Sequence, residues 1–109
     1  MPQPASAPTV FRVDKFAVPR HALPAFIERV CHIDQLLAAM PGCRQNLVLT
    51  GAAQGDEVNV VTLVEWASTE AMAAARAAVQ ARYAEEGFDP SAFMRQLGVR
   101  ADMGTYGLA

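Results

Sequence analysis

The sequence predicts an α+β fold, in which a four-stranded antiparallel sheet carries helices on one face. Segments with the two-residue period of strands alternate with segments that have the period of helices, in the order β-α-β-β-α-β. Ser, Asp, Pro and Gly residues stand at the boundaries, where they cap helices or end strands. The 109 residues are 52% hydrophobic and 18% charged, which is the composition of a globular protein.

The first strand and the first helix are predicted from their apolar spacing. The strand covers residues 10–16, with Phe11 and Val13 on one side and Arg12 and Asp14 on the other, an alternation typical of a half-buried strand. The helix begins at residue 23 and ends at the Pro-Gly pair 41–42. Its apolar residues recur every three or four positions: Phe26, Ile27, Val30, Ile33, Leu37 and Met40.

The second half of the chain contains the remaining strands and helices. Residues 43–50 and 58–66 are predicted strands, joined by a turn over residues 51–56. The strand 58–66 is apolar on both sides and should therefore be central. Ser68 caps a helix that ends before Gly87, Asp89 caps a short helix that ends at residue 97, and residues 99–106 form the last strand.

This order of elements is the ferredoxin-like, or split βαβ, arrangement. We expect a single domain over residues 9–109 after a disordered Pro/Ala/Ser leader over residues 1–8. Helices can cover only one face of such a sheet, yet the strand 58–66 is apolar on both. A second copy of the chain is the simplest cover for the other face, which predicts a homodimer.

Charge and composition exclude several classes of function. A net charge of -2, with scattered basic residues, argues against nucleic-acid binding. No apolar run is long enough to span a membrane, and the N-terminus does not resemble a signal peptide. Cys31 and Cys43 are expected to be free thiols, which indicates a cytoplasmic protein. His21 and His32 lack the spacing and partners of a metal site, so no metal is predicted.

The second long helix places one cation among its apolar residues. Arg76 shares a face with Met72, Val79 and Tyr83, so its guanidinium should point toward the sheet. Asp34 lies similarly at the edge of the apolar stripe of the first helix. In one interpretation both are structural residues that reach solvent or pair with each other. In the other they line a pocket between sheet and helices.

At the end of the strand 58–66, Trp66 is either plain core or the wall of that pocket's mouth. The second interpretation gives the pocket two aromatic walls, Trp66 and Tyr83. Phe93, with Met94 and Leu97, forms one apolar face of the short helix. We expect the segment 88–97 to close one end of the pocket.

Three motifs resemble the antibiotic biosynthesis monooxygenase family of the dimeric α/β barrel superfamily. They are Phe-Arg-Val at residues 11–13, Pro-Gly-Cys at 41–43, and Val-Glu-Trp-Ala-Ser at 64–68 with Glu-Ala at 70–71. The resemblance covers about residues 9–84 and, more loosely, the last strand. It implies a ferredoxin-like homodimer. In the oxygenases of the family it also implies an asparagine, four residues before the tryptophan, and both residues help to activate the substrate. Here that position is Thr62.

The resemblance implies a cofactor-independent monooxygenase that acts on a phenolic or quinol-like aromatic molecule with dioxygen. Trp66 would stack on the ring, Thr62 would hydrogen-bond its oxygen and Arg76 would stabilise the anion. Asp34 or His21 would take the proton. In haem-degrading members a histidine on the inner face of the second long helix holds the iron, and Arg76 stands at that position. The alternatives are a non-catalytic ligand-binding or structural dimer and, less favoured, an isomerase or dehalogenase.

Overall fold

The computed structural model describes residues 8–109, so that the predicted leader, apart from Pro8, lies outside the described residues. The order of elements is the predicted one, with an additional 3₁₀ turn, Arg20–Ala22, before the first helix. The strands are β1 (Val10–Pro19), β2 (Cys43–Gln54), β3 (Glu57–Trp66) and β4 (Arg100–Gly107), and the helices are α1 (Leu23–Ala38), α2 (Thr69–Glu86) and α3 (Pro90–Leu97).

The four strands form one antiparallel sheet in the order β2-β3-β1-β4. This order confirms the ferredoxin-like fold and the central position of β3. The connection between β2 and β3 differs from the prediction. A β-bulge between Thr50 and Ala53 lets β2 continue to Gln54, so that the predicted turn over 51–56 is reduced to Gly55 and Asp56.

The helix ends follow the predicted capping chemistry. The Ser68 hydroxyl accepts a hydrogen bond from the Ala71 amide, 3.1 Å away, at the start of α2. Asp89 accepts from two amides of α3. Both helices end at a glycine with positive φ, Gly87 and Gly98.

The Pro-Gly-Cys segment forms the tight turn between α1 and β2. Gly42 has a φ of +85°, and a Cβ atom there would lie 2.5 Å from the Cβ of Ala71 on α2. Its carbonyl accepts a hydrogen bond from the Ala67 amide, 2.8 Å away. The motif is therefore needed where α2 packs closely on the turn.

The hydrophobic core consists of two buried clusters between the sheet and the helices. One surrounds Phe16 and Phe26, whose ring centroids lie 5.0 Å apart, and includes Val18, Ala22 and Val60. The other consists of Val64, Trp66 and Ala75. Phe16 and Phe26 of the first cluster and Val64 and Trp66 of the second line one cavity.

The orientation of β1 is opposite to the expected one, in which the side with Phe11 and Val13 is buried and the side with Arg12 and Asp14 is exposed. Phe16 and Val18 are buried against the helices, and Arg12 and Asp14 share their parity. Arg12 and Asp14 therefore lie on the helix-covered face, whereas Phe11 and Val13 lie on the helix-free face. The prediction used only the first half of the strand, where the helix-free face is the more apolar one.

Cys31 and Cys43 are free thiols, as predicted. In the part of the chain that the structure describes, no helix is long and apolar enough to cross a membrane.

Candidate functional site

A cavity of about 780 Å³ lies between the sheet and the helices, and opens to solvent. Its volume is within the range of small-molecule sites, roughly 300–1,000 Å³. The floor is formed by β1, β3 and β4, the walls by α1 and α2, and one end by the segment that contains α3. The cavity occupies the space between the two core clusters.

The polar groups of the floor lie in two rows of paired residues that run across the strands, two positions apart along β1. In one row Asp14 pairs with Thr62 on β3 and with Met103 on β4. In the next row Arg12 lies between Val64 and Thr105. All six side chains face the cavity because they lie on the same face of the sheet as Phe16. The centre of the floor is therefore polar.

Arg12 and Asp14 form an ion pair on this floor. The Nε of Arg12 donates to Oδ1 of Asp14 at 2.8 Å, and the two side chains are 30% and 19% exposed. Burial raises the pKa of the Asp14 carboxyl above its ordinary value of 3.8, against the opposing effects of the Arg12 hydrogen bond and charge. A carboxylate in this position is a better proton acceptor than one in water.

The helical wall contains a second cation, Arg29. Its guanidinium stacks over the Phe88 ring at 3.6 Å and lies 5.5 Å from the centre of the Tyr83 ring. It also forms an ion pair with Glu86 at 3.2 Å, which links α1 to the end of α2. Burial raises the pKa of the Tyr83 hydroxyl, so that Tyr83 stays protonated and can only donate or accept a hydrogen bond.

Of the residues predicted for the site, the structure brings six to the cavity: Thr62, Trp66, Arg76, Asp34, Tyr83 and Phe93. Within the described residues Arg76 forms no ion pair, which excludes the predicted alternative of an Arg76–Asp34 pair. The exposed side chain of His21 is not among the residues that line the cavity, because it belongs to the 3₁₀ turn at the far end of β1. The placement of His21 in the pocket is therefore corrected.

Trp66 contributes little surface to the cavity. It is 2% exposed and packs within the second core cluster, against neighbours that include Leu37, Met40 and Met72. A bound ring would contact only a small part of the indole. Trp66 is thus mainly a core residue, and it bounds the cavity at the end opposite α3.

The segment that contains α3 lines the other end of the cavity. Phe88, Pro90, Phe93 and Met94 line the cavity there. Phe88 connects the segment to the wall, since its ring lies 5.1 Å from that of Tyr83 and 5.4 Å from that of Phe93. Movement of this segment as a lid stays a prediction.

Arg12, Asp14 and Arg29 were not predicted as site residues. The signal for Asp14 was present, because it has the parity of Phe16 and Val18 in the same strand. Arg29 lies three residues after Phe26 and four before Ile33, and so belongs to the apolar stripe of α1. Among residues 8–109, no group of three or more His, Cys, Asp or Glu side chains is placed to hold a metal ion.

Residues 9–87 match the model of the antibiotic biosynthesis monooxygenase family, and the chain belongs to this family. The fold is shared by a candidate monooxygenase from Shewanella loihica PV-4, with 20% identity, a TM-score of 0.70 and coverage of 97% of this chain and 98% of that one. It is shared by SnoaB, a cofactor-independent oxygenase from Streptomyces nogalater, with 22% identity, a TM-score of 0.64 and coverage of 94% and 95%.

A dimeric ferredoxin-like protein from an uncultured marine organism also has this fold, with 11% identity, a TM-score of 0.66 and coverage of 94% and 96%. A comparison with curated proteins found no match. At these identities the structural likeness shows the fold alone. Membership of the family supports a monooxygenase-like role.

Proposed function

We propose that the protein is a homodimeric, cofactor-independent monooxygenase that oxidises a phenolic or quinol-like aromatic molecule with dioxygen. The observation that carries this proposal is the cavity, which combines aromatic and aliphatic walls with a polar strip on its floor. An aromatic ring fits between such walls, and its hydroxyl group finds charged and hydrogen-bonding partners on the floor.

In this proposal Thr62 and Arg76 keep the roles expected from the sequence, whereas Trp66 takes a different one. Thr62 lies on the floor, where its hydroxyl can donate a hydrogen bond to the substrate oxygen. Arg76 provides a cation on the wall for the anionic form of the substrate. Trp66, deep in the core cluster, limits how far the ring enters, while Tyr83 and Phe93 contact its sides.

In this reaction the substrate supplies all the electrons that reduce dioxygen. Loss of the hydroxyl proton gives a phenolate. Dioxygen oxidises the phenolate by adding to a ring carbon that carries hydrogen, and the peroxide anion that forms takes up the released proton. The resulting hydroperoxide breaks its O–O bond and loses water, which leaves a carbonyl oxygen on that carbon. One oxygen atom enters the quinone product and the other leaves in water. The protein binds, deprotonates and shields the substrate.

The helix-free face of the sheet supports the homodimer. Leu47 pairs with Leu63 and Leu63 with Val13, which gives an apolar row across three strands. Leu47, Leu49 and Tyr106 are 38%, 48% and 53% exposed in the protomer. A contiguous apolar surface of this kind indicates an interface, and the dimeric ferredoxin-like relative favours a second copy as its cover. The apolar side chains on this face are Phe11, Val13, Leu47, Leu49, Val61, Leu63 and Tyr106.

Oxygen-uptake screening tests the proposed activity. The purified protein, treated with a chelator and free of added cofactors, is mixed with a panel of hydroquinones and anthrone-like phenols in air-saturated buffer. We expect oxygen consumption above the rate without protein, and labelled oxygen gas should leave its label in the quinone. The Thr62→Val variant keeps the shape of the side chain and should lower the rate by about tenfold, the effect of losing one hydrogen bond to a charged group.

The same panel separates the alternatives. Binding of the phenols without oxygen uptake would indicate a non-catalytic ligand-binding dimer on this scaffold. If none of the panel binds, the cavity has no ligand of this class, and a structural dimer becomes the favoured alternative.

A further inference from the structure

The polar strip on the cavity floor contains the one carboxylate of β1 that faces the cavity. We propose that Asp14 accepts the proton of the substrate's hydroxyl group, and that Arg12 is a positioning residue that first holds the Asp14 carboxylate and then pairs with the phenolate. This inference rests on the proposed function and names the base for it. The sequence alone indicated Asp34 or His21 instead.

The sheet register places Asp14 where the proton is lost. Asp14 and Thr62 are directly opposite each other on neighbouring antiparallel strands, on the same face. Side chains in such positions have Cβ atoms about 4.5–5.5 Å apart. A substrate oxygen that is hydrogen-bonded to Thr62 therefore lies within reach of the Asp14 carboxylate. Neither residue needs to leave its strand.

The other titratable groups of the cavity are less suited to this role. Asp89 is engaged in capping α3. The raised pKa of Tyr83 keeps its hydroxyl protonated. Asp34 remains as the competitor, but it lies on the α1 wall rather than on the floor. The charged and titratable groups that share the cavity with Asp14 are Arg12 on its own strand, Arg29 and Asp34 on α1, Arg76 and Tyr83 on α2, and Asp89 before α3.

The ion pair lowers the free-energy cost of the proton transfer because no new pair of charges has to be created. Before the step, the positive Arg12 faces the negative Asp14, with Nε 2.8 Å from Oδ1, and the phenol is neutral. After it, Asp14 is a neutral acid and Arg12 faces the negative phenolate. The O–H bond of the phenol breaks and an O–H bond to Asp14 forms, while Arg12 exchanges one anion for another. In a partly buried site such an exchange avoids the cost of an uncompensated charge.

Proton release on binding a coloured phenol tests this step without any oxygen chemistry. The probe is danthron, an air-stable dihydroxyanthraquinone whose absorbance differs between phenol and phenolate. In the wild-type protein we expect danthron to bind as the phenolate with no net proton release, since Asp14 keeps the proton. Its affinity should therefore be independent of pH between the pKa values of Asp14 and of the free probe.

The Asp14→Asn variant has no acceptor at this position. The proton of danthron must then go to solvent. The apparent affinity for danthron that binds as the phenolate should therefore rise about tenfold per pH unit over the same range. In the matched variant Asp34→Asn, which removes a carboxylate from the wall, the affinity should stay independent of pH whatever its size. With a substrate found by oxygen uptake, Asp14→Asn should lower turnover by about 100-fold or more, as expected for loss of a general base.

Arg12 is tested by a pair of variants. Arg12→Met should shift bound danthron towards the neutral phenol, since Arg76 is then the cation left to pair with the phenolate, whereas Arg12→Lys, which keeps a cation on the floor, should restore the phenolate spectrum. A merely structural role of Arg12 would lower stability in both variants and would not separate their spectra.

Three results would overturn the assignment. Proton release in the wild type equal to that in Asp14→Asn would show that Asp14 does not take the proton. A pH-dependent affinity in Asp34→Asn alone would transfer the role to Asp34. Binding of danthron to the wild type as the neutral phenol would exclude ionisation in this cavity. If the wild type ionises danthron and retains its proton but oxidises no phenol, the role of Asp14 holds and the monooxygenase proposal fails.

Discussion

The two faces of the sheet differ in where their charged residues lie: at the centre of one face and on either side of the centre of the other. On the helix-covered face, the ion pair of Arg12 and Asp14 lies at the centre, between two apolar clusters. On the helix-free face, the central row from Leu47 across to Val13 is apolar. There Lys15 and Glu65 lie in the rows on either side of it.

This difference indicates what each face contacts. A protein surface that covers a sheet is itself largely apolar, so charges at the centre of the interface would be desolvated without compensation. A small phenolic ligand presents a hydroxyl group, which needs polar partners at the point where it meets the sheet. The proposed ligand and the proposed second chain would therefore occupy opposite faces of one sheet, and the choice of alternate residues along each strand would separate them.

The largest effect should come from a charge at the centre of the helix-free face. Leu47→Glu places a carboxylate in the apolar row of both protomers, and we expect the dimer dissociation constant to rise at least ~100-fold, which is about 3 kcal/mol. Leu47 is 38% exposed in the protomer, so the fold should persist. Sedimentation equilibrium measures the dissociation constant.

The control variant is Ala77→Glu, which adds the same charge on the exposed side of α2. It should leave the dimer unchanged. A Leu47→Glu protein that remains as dimeric as Ala77→Glu would remove this face as the interface.

Two adjacent valines of β3 give a sharper comparison of the faces. Val60 is 0% exposed in the first core cluster, whereas Val61 faces the helix-free side. Val60→Ala should lower the free energy of unfolding by about 2–3 kcal/mol from lost burial and a new cavity. That cost should not depend on protein concentration.

Val61→Ala should lower stability mainly through the dimer, so its effect on the unfolding midpoint should change with protein concentration. Urea unfolding at several concentrations measures both variants. Equal and concentration-independent losses would mean that the two faces are covered in the same way, within one protomer.

Capping residues and apolar periods determine most of the fold. Ser68, Asp89 and Gly87 mark helix ends because each satisfies backbone groups locally, and all three occupy the predicted positions. The end of β2 was missed because a β-bulge is set by pairing with β3, which has no strong local signal.

The candidate site could be predicted only in part. Arg76 follows from the period of α2 and Thr62 from the family resemblance, and both line the cavity. Asp14 was assigned to the wrong face because both faces of β1 carry apolar residues, at Phe11 on one side and Phe16 on the other. Which side faces the helices depends on tertiary packing, not on local alternation.

A smaller effect concerns the pH dependence of stability. Because burial raises the pKa of Asp14 in the folded protein, the unfolded chain releases this proton first as pH rises. The ionised carboxylate thus costs stability, and the cost develops from the ordinary Asp pKa of 3.8 up through the raised value. Asp14→Asn should therefore gain stability relative to the wild type across this interval, by less than about 1 kcal/mol for a partly exposed group.

Urea unfolding of both proteins over a pH series measures the difference, with Asp34→Asn as the control for loss of a negative charge in the same cavity. A wild-type protein that gains stability over Asp14→Asn as pH rises would show that the Arg12 ion pair outweighs the burial of the carboxylate. In that case the polar centre of the helix-covered face would stabilise the fold, whereas the prediction is that it destabilises the fold.

The smallest expected effect is an absence of haem binding by the wild type. The family resemblance implies that haem-degrading members hold the iron through a histidine at the position of Arg76 on α2, and a guanidinium has no lone pair to offer a metal. His21 and His32 are both exposed, and neither lines the cavity. A haemin titration followed by absorbance should show no specific Soret shift, whereas Arg76→His, which restores an imidazole on the wall, should gain one. A tight wild-type complex that turns over with a reductant would mean that the cavity accepts a metal cofactor despite Arg76, and its polar floor would then need a different explanation from the phenolate proposed here.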